Sequence, residues 1–427
     1  MKRVTGTSVR QFSSLSAGQG EDRFAAPRKA WRWNPIAWTN YWRKYEGGVS
    51  RLFCAGDFLE AIAEKSWQVE AGGMTVSRAA FFLPGQLERV TGMAYTDDPG
   101  RDMRGGITTL QPPTRAYLLT DVTLLDGSLY KRDKRLDMHA RMRLSKIARY
   151  IPRMRVEDEV EQAAIYSSYD GNEFFGLWLT DDCPNYLLAK EAGVPVTALE
   201  TASPHMLEYE ARLGMTPLRT GGALLHKATL FDDRWGNNPG KHGRLGRVRE
   251  RLLAGLTVKP HPGVFILRRD SGKRRTMHNE VELAEYLRER WGFSIADVTR
   301  EDAASILAKC AGARVVAGVE GSHLMHGLMV LEQGASVLTL QPPDRFCGVI
   351  KRTSDMEYLN YGFVVGRAEE GGFRADADEV ERTLDLFPQS TGFGVPAVRV
   401  PVAMRTARAM ATMRSHARGK SAAGLTA

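Results

Sequence analysis

Two groups of residues, about fifty positions apart, have the chemistry to bind a diphosphate together. The first is a basic cluster that follows an apolar run and consists of Arg268, Arg269, Lys273, Arg274 and Arg275. The second ends another apolar run, where Glu320-Gly321-Ser322-His323 leads into a predicted helix. The start of a helix offers free backbone N–H groups, Gly321 lets a ligand approach closely, and guanidinium groups pair with phosphate oxygens. The combination predicts an anion site.

Only one of the two adjacent arginines should face that anion, because neighbouring residues of a strand point to opposite faces. We expect Arg269 to do so, together with Arg275 and the backbone amides of Gly321 and Ser322. We expect Arg268 to be a structural neighbour.

The elements that must position these residues show an α/β pattern. Between residues 264 and 340, apolar runs predict strands at 264–267, 294–298, 314–319 and 335–340. Amphipathic segments between them predict three helices, the first capped by Asn279 and the third covering 322–332. This alternation predicts a parallel, doubly wound sheet, in which ligands bind outside the carboxyl ends of the strands. The two groups of residues should meet at that edge.

The chain is long enough for two domains, and its pattern divides near residue 255. Residues 49–255 are predicted to form a first α/β domain, with strands and a turn at 117–127 and an aromatic helical block at 172–188. Residues 237–243 are interpreted as a loop that precedes a short helix. Residues 256–390 form the predicted second domain.

The net charge of +9 resides in the ends of the chain. Residues 1–48 carry nine Lys or Arg against three acids, and residues 401–427 carry five Lys or Arg and no acid, which leaves −2 for the body. This distribution argues against a nucleic-acid-binding protein. Residues 28–45 interleave tryptophan with basic residues, which fits either peripheral contact with a membrane surface or an arm packed on the body. Residues 391–427 are predicted to be a basic helix and tail.

Common cofactor and metal sites lack their sequence signals. No GxxxxGK[ST] loop is present, and no GxGxxG follows the first strand of the second domain, which disfavours P-loop enzymes and dinucleotide oxidoreductases. The four cysteines are far apart and Asp181-Asp182 is the best carboxylate pair, so we expect no metal site and no cofactor. The cysteine pattern and the absence of an eighteen-residue apolar run predict a cytoplasmic protein without a spanning helix.

Three blocks of the chain resemble glycosyltransferase family 61, the inverting transferases related to polysaccharide-building and O-linked sugar-adding enzymes. Residues 264–280 are similar to the family's strand–Arg–Arg, Arg and Asn–Glu block. Residues 317–326 are similar to its Gly–x–His–Gly–Ala-type block, and residues 172–184 resemble its first-domain Asn…His-Trp-Leu-x-Asp…Pro segment. The resemblance covers roughly residues 115–365.

Three positions depart from the family pattern. Leu177 and Glu320 stand where the family usually has histidine, and His326 stands where an asparagine is common.

The resemblance implies two Rossmann-like domains of the GT-B type, a cleft between them and no obligatory metal. It implies transfer of a sugar from a nucleotide-sugar donor to a glycan or lipid-linked acceptor in polysaccharide synthesis, at the inner face of the cytoplasmic membrane. The donor-binding residues would be Arg268, Arg269, Arg275, Asn279, Glu280, Gly318, Gly321, Ser322 and His326. Asn172 and Trp178 would lie on the acceptor side, although a core position for Trp178 is favoured.

Sugar transfer also needs a base that accepts the proton of the acceptor hydroxyl. Asp181 is the first choice, because it belongs to the other domain and would face the donor across the cleft. Glu320 and His323 are the alternatives. A second interpretation is a catalytically inactive nucleotide-binding scaffold of the same fold, suggested by Leu177 in place of a histidine.

Overall fold

The structure is a computed structural model that describes residues 23–33, 57–95, 98–131, 134–136, 155–233, 236–269, 272 and 275–388. The remainder of the Trp-rich segment after Trp33, the basic helix and tail predicted at 391–427, Lys273 and Arg274 lie outside these residues. The described chain is a mixed α/β protein with one large sheet in a first lobe and a smaller sheet in a second lobe.

The strands are β1 (Arg28–Trp33), β2 (Lys65–Glu70), β3 (Gly73–Val76), β4 (Thr108–Gln111), β5 (Thr114–Leu125), β6 (Ser128–Lys131), β7 (Lys134–Leu136), β8 (Arg155–Ile165), β9 (Val194–Thr197), β10 (Leu218–Arg219), β11 (Gly222–Asp232), β12 (Val264–Leu267), β13 (Ser294–Asp297), β14 (Val315–Val319), β15 (Ser336–Gln341), β16 (Asn360–Val365), β17 (Arg367–Glu369) and β18 (Gly372–Arg374).

The helices are α1 (Asp57–Ile62), α2 (Pro99–Arg104), α3 (Tyr169–Glu173), α4 (Phe175–Leu177), α5 (Cys183–Ala192), α6 (Pro204–Leu213), α7 (Pro239–Leu253), α8 (Glu280–Trp291), α9 (Ala303–Cys310), α10 (Met325–Leu328), α11 (Val349–Met356) and α12 (Ala377–Leu384). Leu87–Arg89 and Ser322–Leu324 are 3₁₀ turns, and Trp178–Asp182 is a π-helical turn.

The first lobe is built on a mixed sheet in the order β10-β9-β8-β11-β5-β6-β7, with β1 paired to β8 and β2 paired to β5. Strands β10, β9, β8 and β11 are parallel, whereas β5 runs antiparallel to β11. The antiparallel half departs from the predicted Rossmann-like domain. Within this half, the turn predicted from Asp126-Gly127 reverses the chain from β5 into β6, and both of its residues have positive φ.

The start of the Trp-rich segment packs on the body. Residues 28–33 form β1, which pairs antiparallel with the start of β8, and Lys29 Nζ lies 2.6 Å from the Asp158 carboxylate. These six residues therefore agree with the second of the two sequence interpretations, an arm packed on the body.

The second lobe contains the sheet predicted from the sequence. Its strands are all parallel, in the order β13-β12-β14-β15-β16, so the four predicted strands are confirmed and β16 is added at the edge. The third predicted helix is shorter than expected and ends at Leu328. Gly327 brings this turn so close to β14 that a Cβ would lie 2.7 Å from Val316 Cγ2, so tight packing on the strand takes the place of a longer helix.

Helix α7 corrects the predicted loop at 237–243. The helix begins at Pro239, and the Asn238 side chain accepts a hydrogen bond from the Lys241 N–H at 2.9 Å. An asparagine cap followed by proline is a strong start signal, and it outweighs the low helix propensity of the glycines nearby.

A crossing segment, residues 77–95, precedes the predicted domain boundary yet packs on the second lobe. Phe82 stacks on Phe363 with ring centroids 4.7 Å apart, and the Arg89 guanidinium binds both Glu379 carboxylate oxygens at 2.6 Å. Gln86 accepts a hydrogen bond from the Val365 N–H at 2.6 Å. The second lobe is therefore completed by residues from the first half of the chain.

The two lobes share one apolar core. Trp178 and Tyr186 of the first lobe belong to the same buried cluster as Ile266, Leu324 and Val337 of the second lobe. The wide cleft implied by the GT-B resemblance is thus replaced, over much of the boundary, by packed side chains.

Candidate active site

An open pocket lies where the lobes meet, beyond the carboxyl ends of β12 and β14. The chain leaves β12 toward β13 on one side of the sheet and returns to β14 on the other, so this edge is the point where strand order reverses. The lining of this switch-point pocket is Tyr95, Phe174, Gly176, Leu177, Arg275, Glu320, Gly321, Ser322, Met325, Arg345, Cys347, Val349 and Ile350. Its position is the one that the sequence predicted for an anion.

Gly321 is where the two predicted groups of residues meet. A Cβ on Gly321 would lie 2.3 Å from Arg268 Nη1, 3.0 Å from Arg275 Nη1 and 3.1 Å from His323 Nδ1. Only glycine leaves room for two guanidinium groups to approach the backbone this closely. Two cations beside an open stretch of backbone form a site for an anion with more than one charge.

Arg275 binds the backbone and side chain of Glu320. Its Nη1 donates to the Glu320 carbonyl oxygen at 2.8 Å and lies 2.9 Å from Glu320 Oε2. Its buried Nε has no hydrogen-bond partner among the described residues. Burial lowers the pKa of Arg275, which means that a further anion would stabilise its charged form.

Neither of the two adjacent arginines is among the lining residues, and Arg268, not Arg269, is the one that lies beside Gly321. Arg268 is buried against Gly321, and burial together with the neighbouring Arg275 charge lowers its pKa to about 10. Arg269 has a φ of 54°, and its Nε donates to Asp297 Oδ2 at the end of β13 at 3.1 Å. The left-handed backbone ends the strand alternation on which the prediction relied.

Asn279 and Glu280 support the backbone of the site and are not among the residues that line the pocket. The Glu280 carboxylate accepts hydrogen bonds from the backbone N–H groups of Arg268 at 2.6 Å and Arg269 at 3.0 Å. The Asn279 side chain exchanges two hydrogen bonds with the Ala375 backbone and does not cap α8. Glu280 therefore fixes the backbone at the end of β12, and Asn279 fixes the backbone before α12. Neither has the donor-binding role that was predicted, and Asn279 does not have the predicted capping role.

A second positively charged side of the pocket comes from the loop after β15. Arg345 Nη1 lies 3.8 Å from Glu320 Oε2 and has no hydrogen-bond partner among the described residues. Burial and the nearby Glu320 carboxylate raise the pKa of Cys347 to about 12, so this thiol stays protonated. Glu320 therefore lies between two guanidinium groups and a thiol.

The opposite wall is aromatic and apolar. Phe174, Gly176 and Leu177 come from the first lobe, and Tyr95 comes from the end of the crossing segment with 38% of its surface exposed. A Cβ on Gly176 would lie 3.0 Å from Met325 Cγ and 3.2 Å from Ser322 Oγ, so glycine allows the lobes to touch here. A polar anion site facing apolar walls is typical of a small-molecule pocket.

Residues 148–338 match the family model described as Glycosyltransferase 61. They form a glycosyltransferase 61 domain. No curated protein matches the chain. The matched range contains β8 to β11, β12 to β14 and every site residue predicted from the sequence, and the match supports a glycosyltransferase activity for this domain.

Five pocket residues lie outside the matched range of the glycosyltransferase 61 domain and were missed from the sequence: Tyr95, Arg345, Cys347, Val349 and Ile350. Arg345 and Cys347 follow β15, so the strand-end rule applied to the fourth predicted strand would have found them. Tyr95 carries no such signal, because only the path of the crossing segment brings it to the pocket.

His323 and Gly318 lie behind the pocket surface. His323 is buried, its Nδ1 has no hydrogen-bond partner among the described residues, and burial with the nearby Arg268 charge lowers its pKa well below the usual range. A Cβ on Gly318 would lie 2.6 Å from the Ile266 carbonyl oxygen, so this glycine serves strand packing and not the predicted donor contact.

His326, also predicted to bind the donor, lies in the shared core. Its Nδ1 is 2.8 Å from the Tyr209 hydroxyl and its ring stacks on Phe175 at 4.7 Å. Burial lowers the pKa of His326 to about 3, so the imidazole is neutral in the folded protein.

This shift predicts that acid weakens the fold through His326. The folded-state pKa lies below the ordinary value of 6.5, so the unfolded chain binds the proton first and stability is lost as pH falls below that value. Urea unfolding should show a loss of about 2 kcal/mol from this group between pH 7 and pH 5, and His326→Phe should reduce the pH dependence by that amount. Tyr209→Phe, which keeps the imidazole, is the control; an equal reduction in both variants would contradict the assignment.

Asp181, the first choice for the base, lies elsewhere. Its carboxylate is paired with the fully buried Lys241 Nζ, and it lines a separate pocket of the first lobe that shares no lining residue with the switch-point pocket. Asp182 accepts hydrogen bonds from the Ser168 N–H, and burial raises its pKa well above the usual range. The predicted position of Asp181 opposite the donor is therefore not observed.

The two predicted acceptor-side residues also lie outside the switch-point pocket. Trp178 is 1% exposed and packs against Phe175 and Tyr209, which agrees with the favoured core interpretation. Asn172 lies on α3, and its buried Oδ1 has no hydrogen-bond partner among the described residues.

Among the described residues, no three His, Cys, Asp or Glu side chains come together as a potential metal site. In the same part of the chain, no helix combines the length and apolar character that crossing a bilayer requires.

Proposed function

We propose that this glycosyltransferase transfers a sugar, with inversion, from a nucleotide-sugar donor to a glycan or lipid-linked acceptor in cell-surface polysaccharide synthesis. The observation that carries the proposal is the convergence of Arg268, Arg275 and Arg345 around Gly321 and Glu320, beside an open pocket at the switch point of a parallel sheet. Such a site suits the diphosphate of the donor.

The guanidinium groups would stabilise the departing nucleoside diphosphate. When the bond to the anomeric carbon breaks, its electron pair remains on the β-phosphate oxygen, and negative charge grows there in the transition state. Arg268 and Arg275 are already oriented by Gly321, so little reorganisation is needed as this charge develops. The proposal needs no metal ion, because fixed cations and the Gly321-Ser322 backbone would supply the same charge stabilisation.

Glu320 is the base candidate that lies in the pocket. Of the three sequence candidates, Asp181 lines another pocket and His323 is not among the lining residues, whereas Glu320 lines the cavity. Once a diphosphate binds Arg275, the Glu320 carboxylate would lose its closest cation and could accept the proton of an acceptor hydroxyl.

We also place the enzyme in the cytoplasm, in peripheral contact with the membrane. The support is the basic and Trp-rich composition of residues 28–45, of which 28–33 form a strand on the body. Co-sedimentation with vesicles of anionic and of neutral lipid tests this contact, and the absence of any difference between the two would count against it.

The function is tested with a panel of nucleotide sugars. We expect one donor class to raise the unfolding temperature and, with a membrane lipid extract or oligosaccharides as acceptor, to release its nucleoside diphosphate. The anomeric configuration of the product, read by NMR, tests inversion. No stabilisation and no turnover with UDP-, GDP-, ADP- and dTDP-linked sugars would sink the proposal.

A second candidate is a nucleotide-binding protein of the same fold without activity. It is favoured by the wall formed by Phe174, Gly176 and Leu177, which has no acid or base side chain, and by the ion pair that holds Glu320 to Arg275. Saturable donor binding without turnover, across the same panel, is the result that would select it.

A further inference from the structure

We infer that Glu320 makes the switch-point pocket select the intact nucleotide sugar over the free nucleoside diphosphate, and so promotes product release. This inference rests on the proposed function, because it concerns the donor and product of that reaction.

Glu320 is a buried carboxylate within an anion site. Its side chain is 4% exposed, and Oε2 lies 2.9 Å from Arg275 Nη1 and 3.8 Å from Arg345 Nη1. These guanidinium groups are ones that a diphosphate would bind, so the carboxylate and the ligand compete for the same cations. A site built only to hold phosphate as tightly as possible would have no carboxylate here.

The transfer reaction changes the charge beside this carboxylate. In the donor, the β-phosphate is esterified to the sugar and carries one negative charge. During transfer the anomeric C–O bond to that phosphate breaks, the electron pair stays on the phosphate oxygen, a new bond forms to the acceptor oxygen, and the acceptor proton goes to the base. The terminal phosphate then has a second ionisable oxygen with a pKa of about 6, so at neutral pH it gains most of one further charge.

The added charge is repelled by the Glu320 carboxylate once the proton taken from the acceptor has passed on to solvent. Two like charges a few ångströms apart near a protein surface repel strongly enough to change a binding constant by about tenfold or more. The intact donor escapes this penalty, because it has no extra charge on the terminal phosphate. It also offers sugar hydroxyl groups, which can donate to Oε2, an atom with no hydrogen-bond partner among the described residues.

The inference predicts an unusual response to Glu320→Gln. The amide keeps the size of the side chain and removes its charge, so affinity for the product should rise although a pocket residue has been changed. Titration calorimetry with UDP and UDP-glucose, and with GDP and GDP-mannose, should show about tenfold tighter binding of the diphosphate and about twofold or less change for the sugar conjugate. Turnover should fall in the same variant, through slower release and loss of the proposed base.

Glu379→Gln is the matched control, since it also removes a carboxylate paired with an arginine, Arg89, but away from the pocket. It should leave the ratio of the two affinities unchanged. Arg345→Gln supplies the opposite test and should weaken UDP more than UDP-glucose, which keeps the inference testable if the Glu320 variant does not fold.

Two results distinguish failure of the proposed function from failure of the inference about Glu320. If the wild-type protein binds none of these four ligands and no other nucleotide sugar of the panel, the proposed function and the inference both fail. If it binds them and Glu320→Gln leaves the ratio of diphosphate to sugar-conjugate affinity unchanged, the inference alone is overturned.

Discussion

Replacing Arg275 with lysine should lower sugar transfer by about a hundred- to a thousandfold and remove the thermal stabilisation given by nucleoside diphosphates. Arg275 lines the pocket and holds the Glu320 carbonyl oxygen through Nη1, and its Nε has no hydrogen-bond partner among the described residues. A lysine keeps the charge but has no planar fork, so it cannot hold the backbone and a phosphate oxygen together. Initial rates with the active donor and unfolding temperatures with its nucleoside diphosphate measure the two effects.

Arg269→Lys is the matched control for this experiment. Arg269 is the adjacent arginine, but its guanidinium is bound to Asp297 and does not line the pocket. We therefore expect nearly wild-type rates. If Arg269→Lys proves the more damaging of the two, the sequence prediction for Arg269 was right and the site described above is wrong.

Replacing Lys241 with methionine should destabilise the protein by about 3–5 kcal/mol, because it leaves a buried carboxylate without its cation. Lys241 is fully buried, its Nζ pairs with Asp181, and it also donates to the Asp233 carbonyl oxygen at 3.2 Å. Chemical denaturation measures the loss. The exposed Lys190 on α5 is the control, and Lys190→Met should change stability by less than about 0.5 kcal/mol.

The double variant Lys241→Met/Asp181→Leu separates a structural from a catalytic Asp181. Removing both charges should restore most of the lost stability, since replacing both members of a buried ion pair with apolar groups is often nearly neutral. The double variant should also retain sugar transfer. A stable double variant without activity would return Asp181 to the role of base.

The second sheet was predictable because its information is local. Short apolar runs ending at glycine, arginine or proline predict buried parallel strands, and the strand-end rule then places Gly321 and Arg275 together. The first sheet was harder, because the antiparallel pairing of β5 with β11 joins segments about a hundred residues apart and leaves no periodic signal.

The errors at the site have specific physical causes. Alternation along a strand requires that Arg268 and Arg269 diverge, but it does not say which one faces the ligand, and the positive φ at Arg269 ends the alternation at that residue. The partner of Asp181 could not be named from the sequence, because Lys241 lies sixty residues away on a helix that the sequence interpretation began too late.

The path of residues 77–95 limits how the two halves of the molecule can be separated. A fragment starting near residue 256 would lack Phe82, Gln86 and Arg89, and would expose part of its own sheet to water. The polypeptide crosses from the large sheet to the small one early in the chain, returns, and crosses again after α7. These crossings and the shared apolar core tie the lobes together, so we expect substrates to enter and leave the cavity through its rim.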